Sequence, residues 1–258
     1  MASGSIWLNT SIGFGRGNSS ESQRGIDAQK ACQRYRYYGL AEKASLVYFA
    51  LFEDYRELYS TKMLNISDHL RGFAGHGDLD MPDALFLTNL HWIGPFAFLN
   101  IIYKPAPYAV VAQVDGDLGL PSSLREFYLA YNGARLFLDA VRIYGCVPPG
   151  TLQDRSSPLS LPPFDIAATN EEFRHHTEEA RLICFGSYGY DRSMVCMDRE
   201  DQSVICFRGT QFKDRRGTWP SLDRWLTDEV DRLTYLFNPE GRRIAQEWLL
   251  LPTETRIV

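Results

Sequence analysis

The chain has 258 residues, of which 45% are hydrophobic and 23% are charged, a composition that excludes collagen-like, fully disordered and disulfide-scaffold proteins. Acidic side chains outnumber basic ones by 32 to 27, and residues 105–238 carry the whole excess, with 19 acidic and 14 basic side chains. This balance argues against a dedicated nucleic-acid-binding protein, in which basic residues predominate. The five scattered cysteines favour a reducing, cytoplasmic setting and predict neither a zinc site nor another cofactor.

The first hundred residues predict a flexible start followed by a helical extension. Residues 1–25 contain a serine-rich run and several glycines but no apolar segment typical of a signal peptide. Helices are predicted over 27–38 and 41–60, and the second has an apolar stripe at steps of three and four residues. We therefore expect a mainly helical extension over 26–104.

An uncharged stretch over residues 84–103 raises the question of a membrane helix. Asn89, His91 and Asn100 would each need a polar partner in hydrocarbon, and Pro95 would break a helix near its middle. We therefore predict a buried, irregular segment that packs against protein, and no membrane partner.

After residue 105 the sequence shows more clearly where each element begins and ends. A short helix is predicted from Tyr108 to Val114, where Asp115-Gly116-Asp117 interrupts it. A second helix follows Leu120-Pro121, because Ser123 and Glu126 match the capping box that binds the first free amides of a helix. Asn132-Gly133 is predicted to end this helix, since glycine readily adopts a left-handed conformation.

Strands and two further helices are predicted beyond this point. The predicted strands are Leu136–Leu138, Val141–Tyr144, Leu182–Phe185, Ser193–Met197 and Val204–Arg208. A polar helix is expected over Ile166–His176, and Ser221 should cap a last helix whose buried face includes Trp225. Residues 105–238 thus predict an α+β domain, an antiparallel sheet of about five strands flanked by helices, with a tail over 239–258.

The order of these pieces resembles one known family. Leu120-Pro121-Ser122-Ser123-Leu124-Arg125-Glu126-Phe127-Tyr128, followed by Asn132-Gly133 and strands near Ile143-Tyr144-Gly145, resembles the opening motif of the SUKH superfamily. Three further pieces resemble its mid-domain helix, its later turn and its closing helix: Asp165-Ile166-Ala167-Ala168-Thr169-Asn170, Phe185-Gly186-Ser187-Tyr188-Gly189 and Ser221-Leu222-Asp223-Arg224-Trp225-Leu226. The resemblance covers about residues 105–238. It implies that the following motif residues are structural: Leu120, Pro121, Glu126, Phe127, Asn132, Gly133, Gly145, Gly186 and Trp225.

The resemblance implies a non-catalytic domain that binds a protein. The superfamily includes bacterial immunity proteins that neutralise toxins and fungal regulators of cell-wall glucan synthesis. The acidic excess would attract a basic partner, such as a basic toxin domain encoded nearby. Asp228, Glu229 and Asp231, on the polar side of the last helix, are the predicted partner surface.

The alternatives are a small hydrolase, metal-dependent or serine-based, and a scaffold or regulator of a cellular enzyme. Ser187 lies in Gly186-Ser187-Tyr188-Gly189, which is similar to a nucleophile elbow but has phenylalanine where that motif requires the first glycine. His76, Asp78 and Asp80 could together bind a metal ion, or they could form a solvated turn. These sites remain alternatives to the protein-binding interpretation.

Overall fold

A computed structural model of the protein describes residues 66–73, 77–148, 150, 159, 161–174, 180–209 and 212–244. The protein divides into two units, Met1–Leu58 and Tyr59–Val258, and every described residue lies in the second. The flexible start and the helices predicted over 27–38 and 41–60 lie outside the described residues. No helix in the described ranges is long and apolar enough to cross a membrane.

The described elements are short strands in groups, separated by helices. In chain order they are α1 (Ile66–His69), a 3₁₀ turn (Arg71–Phe73), β1 (Leu79–Asp80), β2 (Ala84–Asn89), β3 (Phe98–Tyr103), α2 (Tyr108–Leu118), α3 (Ser122–Ala130), β4 (Ala134–Leu136), β5 (Val141–Ile143), α4 (Ile166–Arg174), β6 (Leu182–Tyr188), β7 (Met194–Asp198), β8 (Val204–Phe207), β9 (Arg215–Trp219) and α5 (Leu222–Thr234).

The strands form one antiparallel sheet in which each strand pairs with the next in sequence. The α+β class predicted from the sequence is confirmed, but the sheet has nine strands in the described residues rather than about five. The additional strands come mainly from residues before 105.

Residues 84–103 form a β-hairpin, so the prediction of an irregular segment is wrong. Ala84 pairs with Tyr103 and Asn89 with Phe98, and Pro95 lies in the connecting turn. The two arms are rich in β-branched and aromatic residues, which suit a pleated surface buried on both faces. β3 then pairs with β4, so the sheet is continuous across residue 105.

Helix α2 continues through Asp115-Gly116-Asp117 to Leu118, and the predicted interruption is wrong. Asp115 is helical, and its carboxylate has partners beyond the helix. It accepts a hydrogen bond from Leu120 N at 2.8 Å and forms an ion pair with Arg125 at 3.1 Å. The helix ends at Gly119, whose φ of 65° is left-handed.

The capping box predicted for α3 is also absent, since Pro121 precedes the helix without a side-chain cap. The Gln202 Oε1 atom, in the turn between β7 and β8, accepts the Ser123 amide at 3.2 Å instead. Ser123 Oγ donates to the Met197 sulfur, and Glu126 is exposed. By contrast, the predicted cap of α5 is confirmed, because Ser221 Oγ accepts from Arg224 N at 3.2 Å.

Antiparallel pairing in sequence order places alternate connections at the same end of the sheet. The turns 90–97, 137–140, 189–193 and the turn between β8 and β9 share one end, which we call the turn end. The helical connections and the turns 81–83 and 199–203 lie at the opposite end. Helix α5 runs back from the opposite end and leads into residues 235–244.

Candidate functional site

Asn132, from the predicted Asn132-Gly133 motif, joins the end of α3 to the residues beyond β5. Its Nδ2 atom donates to Cys146 O at 3.1 Å, and its Oδ1 atom accepts from Cys146 N at 2.7 Å. The Asn132 side-chain amide therefore pairs with both the N–H and the C=O of Cys146, as the backbone of a neighbouring strand would. Gly133 has φ of 92°, and a Cβ there would lie 2.6 Å from Ile143 O, so this position requires glycine. Gly145 packs against Asn132.

Asn170, which ends the motif resembling the mid-domain helix but received no role from the sequence, makes the same arrangement from α4. Its Nδ2 atom donates to Cys184 O at 2.7 Å and to Ile166 O at 2.8 Å, while its Oδ1 atom accepts from Cys184 N at 2.9 Å. Asn170 is fully buried. A polar residue on the apolar face of a helix was the available sequence signal, because buried amides need specific partners.

The other motif residues divide between core and surface. Leu120, Phe127 and Trp225 are buried in the main core, whereas Glu126 is exposed and forms no hydrogen bond or ion pair in the described ranges. Pro121 is buried at the start of α3. Packing therefore accounts for Leu120, Phe127 and Trp225, but not for Glu126.

Ser187 lies inside β6, not in a turn. It pairs with Met194 and Arg142 on the neighbouring strands and is buried. Gly186 lies against the backbone carbonyl of Arg142, so its small size serves strand packing. A nucleophile elbow requires a sharp exposed turn between a strand and a helix, and this geometry does not provide one.

The Asp78 and Asp80 side chains, two of the three predicted metal ligands, have other partners. Asp78 Oδ1 accepts the Thr88 amide at 2.9 Å, and Asp80 forms an ion pair with Lys104 at 2.6 Å. His76 lies outside the described residues. In the part of the protein that the structure describes, no three histidine, cysteine, aspartate or glutamate side chains are grouped to hold a metal ion.

The predicted acidic surface on α5 is wrong at its central residue, because Glu229 is fully buried. Arg232 Nη2 lies 2.5 Å from a Glu229 oxygen, and Trp225 Nε1 donates to Tyr188 Oη at 3.3 Å beside them. Burial raises the pKa of Glu229, although Arg232 and a hydrogen bond with Tyr188 oppose this effect. Burial lowers the pKa of Arg232, but the ion pair outweighs burial and the pKa is raised.

The flanking residues Asp228 and Asp231 do reach solvent, but each has a side-chain neighbour. Asp228 forms an ion pair with Arg224 at 2.9 Å, and Asp231 lies 3.7 Å from His69. With Glu229 buried between them, the three carboxylates do not form one acidic surface.

The turn end carries exposed apolar side chains that the sequence analysis did not identify. Trp92, Ile93 and Phe96, on the β2–β3 turn, are 46%, 51% and 53% exposed, and we call these three residues the apolar tip. The Arg242 guanidinium lies 5.0 Å from the centre of the Trp92 ring. These three residues lie in an uncharged stretch that was expected to be buried. No hairpin turn was predicted there, so their exposure was not expected.

Comparison with protein families gives one match, the SMI1 / KNR4 family (SUKH-1), over residues 109–228, just under half of the protein. That segment is similar to the SUKH-1 family. The resemblance predicted from the motifs is thereby confirmed. No curated protein matches the sequence. The apolar tip lies before the SUKH-1 segment, and residues 235–244 lie after it.

The SUKH-1 segment contributes a strained turn to the same end of the sheet. Phe137, Leu138 and Asp139 have φ of 51°, 57° and 66°, and three consecutive left-handed residues that are not glycine are costly. Asp139 is bound by Arg135 through two hydrogen bonds of 2.6 Å and by Arg142 at 3.3 Å. These interactions lower the Asp139 pKa despite its burial, and they hold the turn in place.

The strained turn directs one apolar residue outward. Leu138 is exposed, while its amide donates to Leu99 O at 2.9 Å and so connects the turn to β3. The neighbouring Phe137 is buried and packs against Phe73 and Phe237. Because strained backbone is retained mainly where function requires it, the turn end is the candidate functional surface of the protein.

Proposed function

We propose that the protein is a non-catalytic, protein-binding immunity protein that neutralises a toxin domain encoded beside it, in the cytoplasm. The observation that carries the binding proposal is the apolar tip, in which a tryptophan, an isoleucine and a phenylalanine are about half exposed on one turn. Aromatic residues are enriched where proteins bind each other. The immunity role is supported by the SUKH-1 match, since the family includes toxin immunity proteins.

The described residues favour this proposal over the hydrolase alternative. Ser187 is buried within β6, and the Asp78 and Asp80 carboxylates are bound by Thr88 and Lys104. A hydrolytic site needs a nucleophile or metal, a base and an orienting group within hydrogen-bond reach of one another. No observation in the described part of the chain brings such groups together.

The proposal is tested by expressing the toxin domain of the adjacent gene with and without the protein. We expect cells to survive only when the full-length protein is present, and isothermal titration calorimetry to detect a complex with a catalytically inactive form of the toxin. The absence of both rescue and binding would contradict the proposal. Binding without rescue would contradict the immunity role and favour a regulator of a cellular protein.

A further inference from the structure

The apolar tip is held in one conformation before any partner binds. Leu90 N donates to Ala97 O at 2.7 Å, and Asn89 Nδ2 donates to Pro95 O at 3.0 Å across the same turn. Gly241, in the segment that follows α5, packs against Leu90. A preordered tip loses little conformational entropy on binding, so its exposed apolar surface can contribute directly to affinity.

The segment that follows α5 extends the same surface. Arg242 covers one side of the Trp92 ring, and Tyr235 and Ile244 are exposed on the same segment. Leu138, on the strained turn, adds a further exposed apolar side chain at this end of the sheet. The combination of tryptophan, tyrosine and arginine is typical of the residues that dominate binding energy at protein interfaces.

The charges that are free to meet a partner differ between the two ends of the sheet. Most exposed basic side chains that form no ion pair within the described ranges lie at the turn end, namely Arg192, Arg208, Lys213 and Arg215, whereas Arg174 lies near Asp117 at the opposite end. Exposed acidic side chains without an ion pair in the same ranges include Asp83, Asp117, Glu200 and Asp201 at the opposite end, whereas Asp191 and Glu240 lie at the turn end. The net acidity of the protein therefore does not describe its turn end.

Most acidic side chains at the turn end are occupied within the protein. Asp139 binds Arg135 and Arg142, and Asp214 pairs with Arg216 at 3.2 Å. Asp191 accepts hydrogen bonds of 2.8 Å from the amide and hydroxyl of Ser193. Glu240 is exposed and partly offsets the basic charge.

We propose that the turn end is the partner-binding surface, with the apolar tip as its anchor, and that the partner presents an apolar pocket for the tip. The partner also presents carboxylates farther along the same surface, because the turns that carry the basic side chains lie several strands from the tip in the sheet. The inference rests on the proposed protein-binding function. The net charge predicted a basic partner. The inference instead assigns an acidic contact surface to the partner, because the charges at the contact determine steering and specificity. The tip fills the pocket, and the turn-end arginines and lysine face the carboxylates.

The experiment compares three double variants of the full-length protein against the inactive toxin domain of the adjacent gene. The tip variant is Trp92→Ala with Phe96→Ala, the charge variant is Arg208→Glu with Arg215→Glu, and the control is Asp83→Lys with Glu200→Lys. Calorimetry gives the dissociation constant, and stopped-flow fluorescence gives the association rate at low and high salt. Urea unfolding and near-ultraviolet circular dichroism establish that each variant is folded.

We expect the tip variant to weaken binding by about tenfold or more, as loss of anchor residues does. The charge variant should slow association by about tenfold at low salt, and high salt should remove most of this difference. The control should bind at least as tightly as the natural sequence. Should the tip variant fail to fold, Phe96→Ala alone provides the same test.

The possible failures are distinguishable. If the control variant loses affinity while the tip and charge variants bind normally, the opposite end is the interface and the inference is wrong, although the proposed function stands. If the charge variant associates faster, the contact surface of the partner is basic and the inference is also wrong. Absence of any binding by the natural sequence overturns the proposed function and the inference together. Normal toxin binding by the tip variant, with loss of self-association, would assign the tip to a second copy instead.

Discussion

The buried amide of Asn170 should make a large contribution to stability for a single polar side chain. Replacing it with alanine removes the partners of both Cys184 N and Cys184 O, which are buried in β6. Each backbone group left without a partner costs about 1–3 kcal/mol. The higher helix propensity of alanine returns less than about 0.7 kcal/mol. We therefore expect Asn170→Ala to lower the free energy of unfolding by about 3 kcal/mol.

This loss is a large fraction of the roughly 5–15 kcal/mol that stabilises a typical domain. It should lower the urea midpoint by about 1–3 M, given a slope of about 1–3 kcal/mol per molar urea. Unfolding can be followed by tryptophan fluorescence, because Trp225 is buried and its ring lies 5.1 Å from that of Phe185. Circular dichroism of the variant in the absence of urea would show whether it retains its native secondary structure.

Two matched variants separate this explanation from a general effect on α4. Glu171→Ala changes the next, exposed residue of the same helix and should alter stability by less than about 0.5 kcal/mol. Asn132→Ala removes the equivalent bonds to Cys146 at a half-exposed position, where water can replace them, and should cost less than Asn170→Ala. A loss below about 1 kcal/mol in Asn170→Ala, or an equal loss in Glu171→Ala, would refute the reasoning.

Three further predictions concern other parts of the sheet and α5. Burial raises the pKa of Glu229, so its contribution to stability is complete below its unfolded value, near 4.5, and is lost as pH rises through the folded value. Urea midpoints should therefore fall from about pH 4.5 towards neutral pH relative to Glu229→Gln, and a constant difference would contradict the raised pKa. Gly133→Ala should cost at least about 2 kcal/mol more than Gly119→Ala, because both glycines have positive φ but only Gly133 lies against carbonyl oxygens, and equal urea midpoints would disprove this. Ser187→Ala should leave toxin binding unchanged by calorimetry, whereas loss of function in the folded variant would support a chemical role for its hydroxyl.

Elements defined by local signals could be predicted from the sequence. Helix α5 begins after Ser221, whose hydroxyl binds an amide within the same turn. The strands β6, β7 and β8 were recognisable because apolar β-branched runs alternate with short polar turns. In each case the residues that determine the structure are near neighbours in the sequence.

Features that depend on distant residues could not be predicted in the same way. Ser123 has a suitable capping partner at Glu126, but Gln202 binds its amide from 79 residues away. The apolar tip was missed because an uncharged run does not reveal which of its residues a turn exposes. Glu229 is different, since it lies seven residues after Leu222 on the apolar stripe of α5, and this spacing by itself indicates burial.

The pairing of β3 with β4 has a consequence for how the protein should be expressed. A fragment cut at the start of the matched segment, near residue 109, would lack β1, β2 and β3. The three-residue strand Ala134–Leu136 would then be an outer strand, with its amide and carbonyl groups open to any other polypeptide. Such a fragment would be prone to aggregation even though it contains every recognisable family motif. The region that identifies the family is therefore shorter than the region required to complete its sheet.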